Sequence, residues 1–182
     1  YLERSFVAYP RVGGRVDGEA CAFAKACGVP WIWAHRSSIL EEALVTAAAK
    51  KGKPAILVEM AGEGKAKPAW IDEMYTAVGK ALVRVGLLAG HATYASTYEV
   101  FEGFEILRNR EAGLWGRSVD PGAAVSAGSS LGRVFDLLGR ETELVVSPRD
   151  GAIAGICTYG YVPPQDYLAE LAYDFHAEGP PV

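Results

Sequence analysis

Glu59 is the residue in this sequence whose type and setting best suit chemistry. It follows the apolar run Ala55-Ile56-Leu57-Val58, which has strand composition, and Gly62 and Gly64 come shortly after it. A buried strand would carry this carboxylate to the edge of a sheet, and the glycines would let the backbone turn away. Glu59 is therefore the first candidate for a functional residue. The simpler alternative is that Glu59 marks the solvated end of a buried strand.

The histidines do not form a recognisable metal site in the sequence. His35, His91 and His176 are far apart, and none belongs to an H-x-x-E, H-x-x-x-H or C-x-x-C group. Those groups give the ligand spacings typical of zinc sites. His35 comes just after a predicted strand, so it either borders the same cleft edge as Glu59 or is an ordinary surface histidine.

Three further sets of residues are candidate binding or catalytic sites by residue type. Arg4, Arg11 and Arg15 could bind a substrate carboxylate through two parallel hydrogen bonds, or they could simply be solvated. The segment 62–65 lacks the glycine spacing of a phosphate-binding loop, and Glu63 would repel phosphate. The serines of segment 126–130 are interpreted as turn formers, because no His or Asp pattern marks a nucleophile there.

Composition narrows the class of protein. The chain has 182 residues, 50% of them hydrophobic and 22% charged, which suits one large domain or two small ones with a substantial core. A formal net charge of -4 argues against a general nucleic-acid surface. No apolar stretch reaches the roughly 20 residues of a membrane span, so a cytoplasmic location is expected. Cys21, Cys27 and Cys157 are an odd number of cysteines and are interpreted as small core residues. Because the sequence begins at Tyr1 and enters a strand at once, a preceding segment is expected.

The first half of the chain alternates strand and helix patterns. Predicted strands cover residues 5–9, 29–34 and 54–59, and each is followed by a helical pattern. Asp17 is the expected N-cap of the first helix, and Ser38 and Glu41 form a capping-box pattern at the start of the second. The third helix follows Trp70 and carries apolar residues at helical spacing, namely Met74, Val78, Leu82 and Val85. The order predicts an α/β layer in which helices pack on a largely parallel sheet.

The character of the sequence changes after about residue 90. Short strand-like runs separated by Gly, Pro and Asp replace the helical patterns, as at Asp120-Pro121-Gly122 and Leu138-Gly139-Arg140. This spacing is typical of an all-β domain. The prediction is therefore an α/β part over residues 1–90 and a β-rich domain over residues 91–182.

Two parts of the sequence together resemble one family, the succinylglutamate desuccinylase and aspartoacylase group of zinc hydrolases. The segment from Gly52 to Gly62 resembles that family's Gly-x-Pro-Ala-x-x-x-Glu-x-Gly-Gly motif, with Ala61 in place of the first glycine. The segments 113–134 and 147–151 resemble its C-terminal β domain, whose half-motifs are similar to biotinyl or lipoyl carriers. The segment 2–7 is similar to the one that follows the family's Asp-x-His-x-Gly-Gly metal motif. No carrier lysine is present, so no covalent cofactor is expected.

The resemblance implies a fold and a reaction. It implies part of a zinc-carboxypeptidase-like mixed sheet with flanking helices, followed by a smaller barrel-sandwich domain. It also implies a zinc-dependent deacylase that cleaves an N-acyl or amide bond of a small carboxylate-bearing substrate. In that family a His-x-x-Glu pair and a later His hold zinc, and all three would lie upstream of Tyr1. The family's catalytic glutamate, which deprotonates a zinc-bound water, matches Glu59. Among the arginines, Arg4 is the candidate for binding the substrate.

The resemblance leaves partners and alternatives open. A missing N-terminal portion or a second chain would supply the zinc ligands, and a homo-oligomer is possible. The main alternative is a non-catalytic remnant or binding subunit of the same fold. A peptidase of the carboxypeptidase type is a second alternative, suggested by the shared fold alone.

Overall fold

The protein is described by a computed structural model that covers residues 2–36 and 38–181. It contains three α-helices in the described part of the chain, namely α1 (Arg15–Ala26), α2 (Leu44–Lys50) and α3 (Pro68–Arg84). The strands are β1 (Leu2–Pro10), β2 (Trp31–His35), β3 (Leu57–Gly62), β4 (Tyr98–Arg108), β5 (Gly113–Arg117), β6 (Ala124–Val125), β7 (Ser130–Phe135), β8 (Glu141–Val146), β9 (Gly151–Ile156), β10 (Tyr161–Val162) and β11 (Tyr167–Glu178). The mixed α/β class that the sequence predicts is the class observed.

Contacts divide the chain into two compact units that are not contiguous in sequence. The first, the α/β unit, comprises Ser5–Met60, Lys65–Gly103 and the C-terminal residues from Phe175. The second, the β unit, comprises Phe104–Asp174, Ala61–Gly64 and the N-terminal residues through Arg4. This division differs from the contiguous one at residue 90, because β1, β3, β4 and β11 each contribute residues to both units.

The α/β unit is organised around parallel strands. β1 pairs with β2 in parallel, with Phe6 opposite Trp31 and Pro10 opposite His35, and β2 pairs in parallel with β4. β3 lies beside β1 at the edge of the sheet. Because side chains alternate along a strand, each of these strands presents two different faces.

One face of this sheet packs against helices. Val7, Ile32 and Val100 belong to a buried cluster with small residues of α1 and α3, among them Ala20, Ala24, Ala77 and Ala81. Alanines at helical spacing let the two helices approach closely and favour helix formation. The opposite face carries aromatic rings in contact, namely Phe6, Trp31, Trp33, Phe101 and Phe175.

The β unit is antiparallel. Its four-stranded sheet has the order β10-β5-β7-β8, and β9 pairs with both β6 and β11. Its core includes the fully buried Leu131, Ile153, Leu168 and Leu171. The indole N–H of Trp115 donates to the carbonyl oxygen of Cys157 at 3.1 Å, which satisfies a polar atom inside this core.

The structure corrects several sequence-based predictions at element ends. The helix expected from Ser38 begins only at Leu44, after a single 3-10 turn over Ser38–Leu40, and no side chain caps it. The Glu41 carboxylate pairs with Lys50 instead of closing a capping box. Asp17 lies inside α1 instead of capping it, where its carboxylate accepts from the N–H groups of Val12 and Gly13 at 2.9 and 3.0 Å.

Two more observations bear on earlier expectations. Cys27 and Cys157 are buried and Cys21 is half-buried, all as free thiols. Within the described residues, no helix is long and apolar enough to cross a membrane.

Candidate functional site

Glu59 lies within β3 and not at its end. The strand runs over Leu57–Gly62, so Glu59 is its third residue, and its side chain is half-buried. The strand starts later than predicted because Pro54 has no N–H to donate and restricts the residue before it. Burial raises the pKa of the Glu59 carboxyl, because the charged form loses hydration. A half-buried carboxyl with a raised pKa is a better proton acceptor at neutral pH than an ordinary one.

The predicted backbone turn begins at Ala61, two residues after Glu59. Ala61, Gly62, Glu63 and Gly64 have φ angles of 67°, 142°, 60° and 62°. Four consecutive positive φ values bend the chain sharply, and non-glycine residues rarely adopt them. Ala61 therefore occupies, with a left-handed backbone, the position where the resembled motif has its first glycine.

The predicted arginines have different surroundings. Arg4 belongs to the β unit, and its guanidinium lies so close to Gly122 that a Cβ there would sit 2.7 Å from Nη1. Arg11 pairs with Glu102. Arg15 forms an exposed pair with Glu19 at 2.7 Å on α1, which supports the solvated interpretation for that residue.

The three histidines have different surroundings. His176 lies 3.0 Å from the Glu178 carboxylate, and His91 is exposed. His35 is only 2% exposed, so it is not a surface histidine. It lines a cavity of about 310 Å³ whose lining does not include Glu59, so the structure gives no support for a cleft edge shared by these two residues.

The residues present do not fit a zinc ion. Across residues 2–36 and 38–181, no group of three or more His, Cys, Asp and Glu side chains is placed to hold a metal. Structural zinc sites need four such ligands and catalytic sites three. Glu59 alone, with no clustered partner of this kind, supplies a proton acceptor and not a metal centre.

A second surface feature was not anticipated from the sequence. On α3 and at the C-cap residue that follows it, four apolar side chains are exposed, namely Ile71, Tyr75, Val78 and Val85, with Tyr75 exposed to 81%. A cavity of about 590 Å³ lies beside this helix, and its lining includes Tyr75, Val78, Leu82, Val83 and Leu88. The buried side of the helix is instead formed by Ala77 and Ala81. Of the four residues whose spacing predicted this helix, Val78 and Val85 are exposed, whereas Met74 and Leu82 are half-buried.

Comparisons with known proteins give a fold but no sequence family. No family model and no curated protein matches the chain. Among solved structures, it is similar to the product-bound ectoine utilization protein EutE (DoeB) from Ruegeria pomeroyi, with 22% identity and a TM-score of 0.81. It is also similar to a succinylglutamate desuccinylase from a Silicibacter species, with 19% identity and a TM-score of 0.82. A succinylglutamate desuccinylase/aspartoacylase from Rhodobacter sphaeroides has 17% identity and a TM-score of 0.79.

The coverage of these matches is unequal. They extend over 94%, 94% and 97% of this chain but only 54%, 54% and 55% of the three solved chains. The chain thus spans about half the length of the structures it matches. The resemblance to the succinylglutamate desuccinylase and aspartoacylase family is confirmed at the level of the fold.

Proposed function

We propose that this chain is the C-terminal part of a hydrolase of the deacylase type, acting on an N-acyl or amide bond of a small carboxylate-bearing substrate. The likeness to solved structures that bear desuccinylase and aspartoacylase names supports the reaction class. The observation that carries the proposal is Glu59, a half-buried carboxyl with a raised pKa on the strand where the resembled motif has its catalytic glutamate.

Glu59 would act as a general base and then as a general acid. Its carboxylate accepts a proton from a water molecule as the water oxygen attacks the amide carbonyl carbon. The proton then passes to the amide nitrogen as the C–N bond breaks, which releases a carboxylic acid and an amine. A raised pKa suits both steps, because the protonated form persists long enough to donate.

We further propose that the complete protein is zinc-dependent and that its ligands come from polypeptide outside this chain. The described residues contain no metal-binding cluster, so a preceding segment or a second chain must supply them. Two features support an interface for such polypeptide. The stripe of Ile71, Tyr75, Val78 and Val85 on α3 is apolar and exposed, and β3 lies at the edge of its sheet. Exposed apolar stripes and open strand edges are typical of surfaces that another chain segment covers.

The test of this function is Glu59→Gln in the complete protein. We expect turnover of an N-acyl amino acid to fall by about 10²–10⁴-fold, the usual contribution of a positioned acid or base, while zinc content stays unchanged. Glu73→Gln, which removes an exposed carboxylate from α3, is the matched control and should keep full activity. Normal turnover in the Glu59 variant would defeat the assignment.

Arg4 is proposed to bind the substrate carboxylate. Its guanidinium is held in place by packing against Gly122, and such a group can donate two parallel hydrogen bonds. Arg4→Gln should raise KM by about tenfold for a carboxylate substrate, the usual size of a charged hydrogen bond. The KM for the matching carboxamide should not change. An equal rise in KM for both substrates would assign Arg4 a structural role.

One alternative rests on a specific observation. Because the described residues hold no metal cluster, the chain could instead be a binding subunit without catalysis. Activity of the complete protein with bound zinc excludes this alternative, and a complete protein that binds no zinc and hydrolyses neither an N-acyl amino acid nor a peptide establishes it. Preference for the peptide would favour the peptidase alternative, which rests on fold analogy alone.

The β unit has a place in the same proposal. Its short antiparallel strands suit the barrel-sandwich domain that the sequence resemblance implies. We assign it no covalent carrier function, because no lysine stands in the carrier setting.

A further inference from the structure

A second polar site lies in the α/β unit where two parallel strands end. β1 ends at Pro10 and β2 ends at His35, and these two residues are opposite each other in the parallel register. The N–H of Arg11 donates to the His35 carbonyl oxygen at 2.8 Å, which holds the two strand ends together. In open α/β sheets, ligands bind outside the carboxyl ends of parallel strands.

Two side chains at this point are buried with unused hydrogen-bonding capacity. His35 is 2% exposed and Thr46, on α2, is 3% exposed. Within the described residues, both ring nitrogens of His35 and the hydroxyl of Thr46 lack a hydrogen-bond partner. Leaving a buried polar group without a hydrogen bond destabilises the folded protein, so three such atoms around one cavity require an explanation.

The cavity between them has the charge of an anion site. It measures about 310 Å³, and Arg11, Arg36 and Lys50 line it together with the single carboxylate Glu41. Glu41 pairs with Lys50, and Arg11 pairs with Glu102, whereas Arg36 is exposed at the cavity. Since a water molecule occupies about 30 Å³, the space admits a molecule of about ten water-sized groups.

The chemistry of the lining selects the kind of ligand. Burial lowers the pKa of His35, and the negative charge of Glu41 opposes this only in part, so the ring is neutral near pH 7. A neutral ring offers one N–H donor and one acceptor, and the Thr46 hydroxyl offers a further donor. A guanidinium beside them adds a charged, planar pair of donors.

We propose that this cavity binds a small oxyanion, a carboxylate or a phosphate, through His35, Thr46 and Arg36. Glu59 is not among the residues that line this cavity, and the proposal does not depend on the deacylase assignment. The shared chemistry is an anionic group whose oxygens accept hydrogen bonds from the His35 ring, the Thr46 hydroxyl and the Arg36 guanidinium.

The test follows the imidazole ring of His35 by nuclear magnetic resonance in the isotope-labelled 182-residue chain. Inorganic phosphate and malonate are added to the protein in separate titrations. The pH is held about one unit above the ordinary histidine pKa of about 6.5, and sodium chloride at matched ionic strength is the blank. We expect saturable shifts of the His35 ring nitrogens with at least one oxyanion, while His91 and His176 show none. Saturation by phosphate alone or by malonate alone identifies which oxyanion the site takes.

Two variants and a control make the test specific. Arg36→Gln should weaken binding by about tenfold and Thr46→Val by about threefold, as expected for a charged and a neutral hydrogen bond. Arg84→Gln, which removes an exposed arginine from the end of α3, should leave affinity unchanged. The proposal is overturned if neither oxyanion gives a saturable His35 shift, which would mean a water-filled cavity, or if Arg84→Gln weakens binding as much as Arg36→Gln.

Discussion

At the scale of single residues, burial sets the pKa of two groups in opposite directions. It raises that of Glu59 and lowers that of His35, because it disfavours a negative charge on one and a positive charge on the other. Both groups are thereby kept closer to neutrality than they would be in water. Of the two, only Glu59 has a role in the proposed reaction.

The raised pKa of Glu59 predicts a pH-dependent effect on stability. Its pKa is higher in the folded than in the unfolded chain, so its contribution is most favourable below the unfolded pKa of about 4.3 and is lost as pH rises through the folded value. Glu59→Gln should therefore raise the free energy of unfolding at pH 7, where the native carboxyl must be charged. At a pH below about 4 the variant and the parent should be equally stable, because both side chains are then neutral.

Urea unfolding of the 182-residue chain at the two pH values measures this difference without any assay of activity. Glu73→Gln again serves as the control, because it makes the same chemical change at an exposed position. A Glu59→Gln chain that is less stable than the parent at pH 7 would show that the carboxylate has a stabilising partner, contrary to the assigned cause of the shift.

At the scale of elements, the sequence predicted which strands and helices exist better than where they end. The first three strands and three helices are all present, because their apolar spacing is a local property. The capping box at Ser38 and Glu41 failed because Lys50, nine positions further along, pairs with the carboxylate. A local sequence pattern cannot predict such competition from a side chain elsewhere in the fold.

The same limit applies to the candidate sites. Glu59 could be found as a carboxylate in a strand pattern, but its raised pKa depends on burial by distant segments. His35 carried a usable signal that was missed. It continues the alternation of Trp31 and Trp33 on one face of β2, which predicts a buried position. Thr46 carried no signal, because its role depends on where α2 packs.

Close packing within the β unit gives a prediction about β7. A Cβ on Gly132 would lie 2.3 Å from Cη2 of Trp115 and 2.6 Å from the carbonyl oxygen of Gly116. Trp115 cannot easily move, because it is buried and its indole N–H is bonded to Cys157. Gly132→Ala should therefore lower the free energy of unfolding by about 3 kcal/mol, at the upper end of the usual cost of overpacking.

The urea midpoint at constant slope measures that loss. Gly160→Ala is the matched control, because a Cβ there meets no atom within 4 Å and the change should be nearly neutral. Equal stability of the two variants would mean that β5 and β7 can separate at little cost.

At the scale of the whole molecule, α3 shows how an amphipathic pattern can mislead about what is buried. Ile71, Tyr75, Val78 and Val85 recur at spacings of four, three and seven, the pattern of a helix face that packs against something. In this structure that stripe is exposed, and the helix packs on α1 through small residues instead. The proposed function, in which polypeptide outside this chain covers α3, accounts for this exposed stripe.

This explanation predicts the behaviour of the chain by itself. Exposed apolar surface binds hydrophobic dyes and promotes self-association, so the 182-residue chain should bind such a dye and associate with rising concentration. Tyr75→Glu with Val78→Glu should lower dye fluorescence several-fold and shift the chain toward monomer in sedimentation experiments. It should do so without loss of stability, because both side chains are already exposed, Tyr75 to 81% and Val78 to 41%.

The matched control changes an apolar pair that is at least as exposed but belongs to a turn and not to the stripe. Leu137 and Leu138, between β7 and β8, are 81% and 75% exposed, and their replacement by Glu should leave dye binding and association nearly as they were. If the turn variant lowers both as strongly as the α3 variant, apolar exposure in general causes the association. If only the α3 variant does, the stripe is the surface through which the chain associates. In the complete protein, the same two substitutions should then lower the zinc content if the polypeptide proposed to supply the zinc ligands contacts α3.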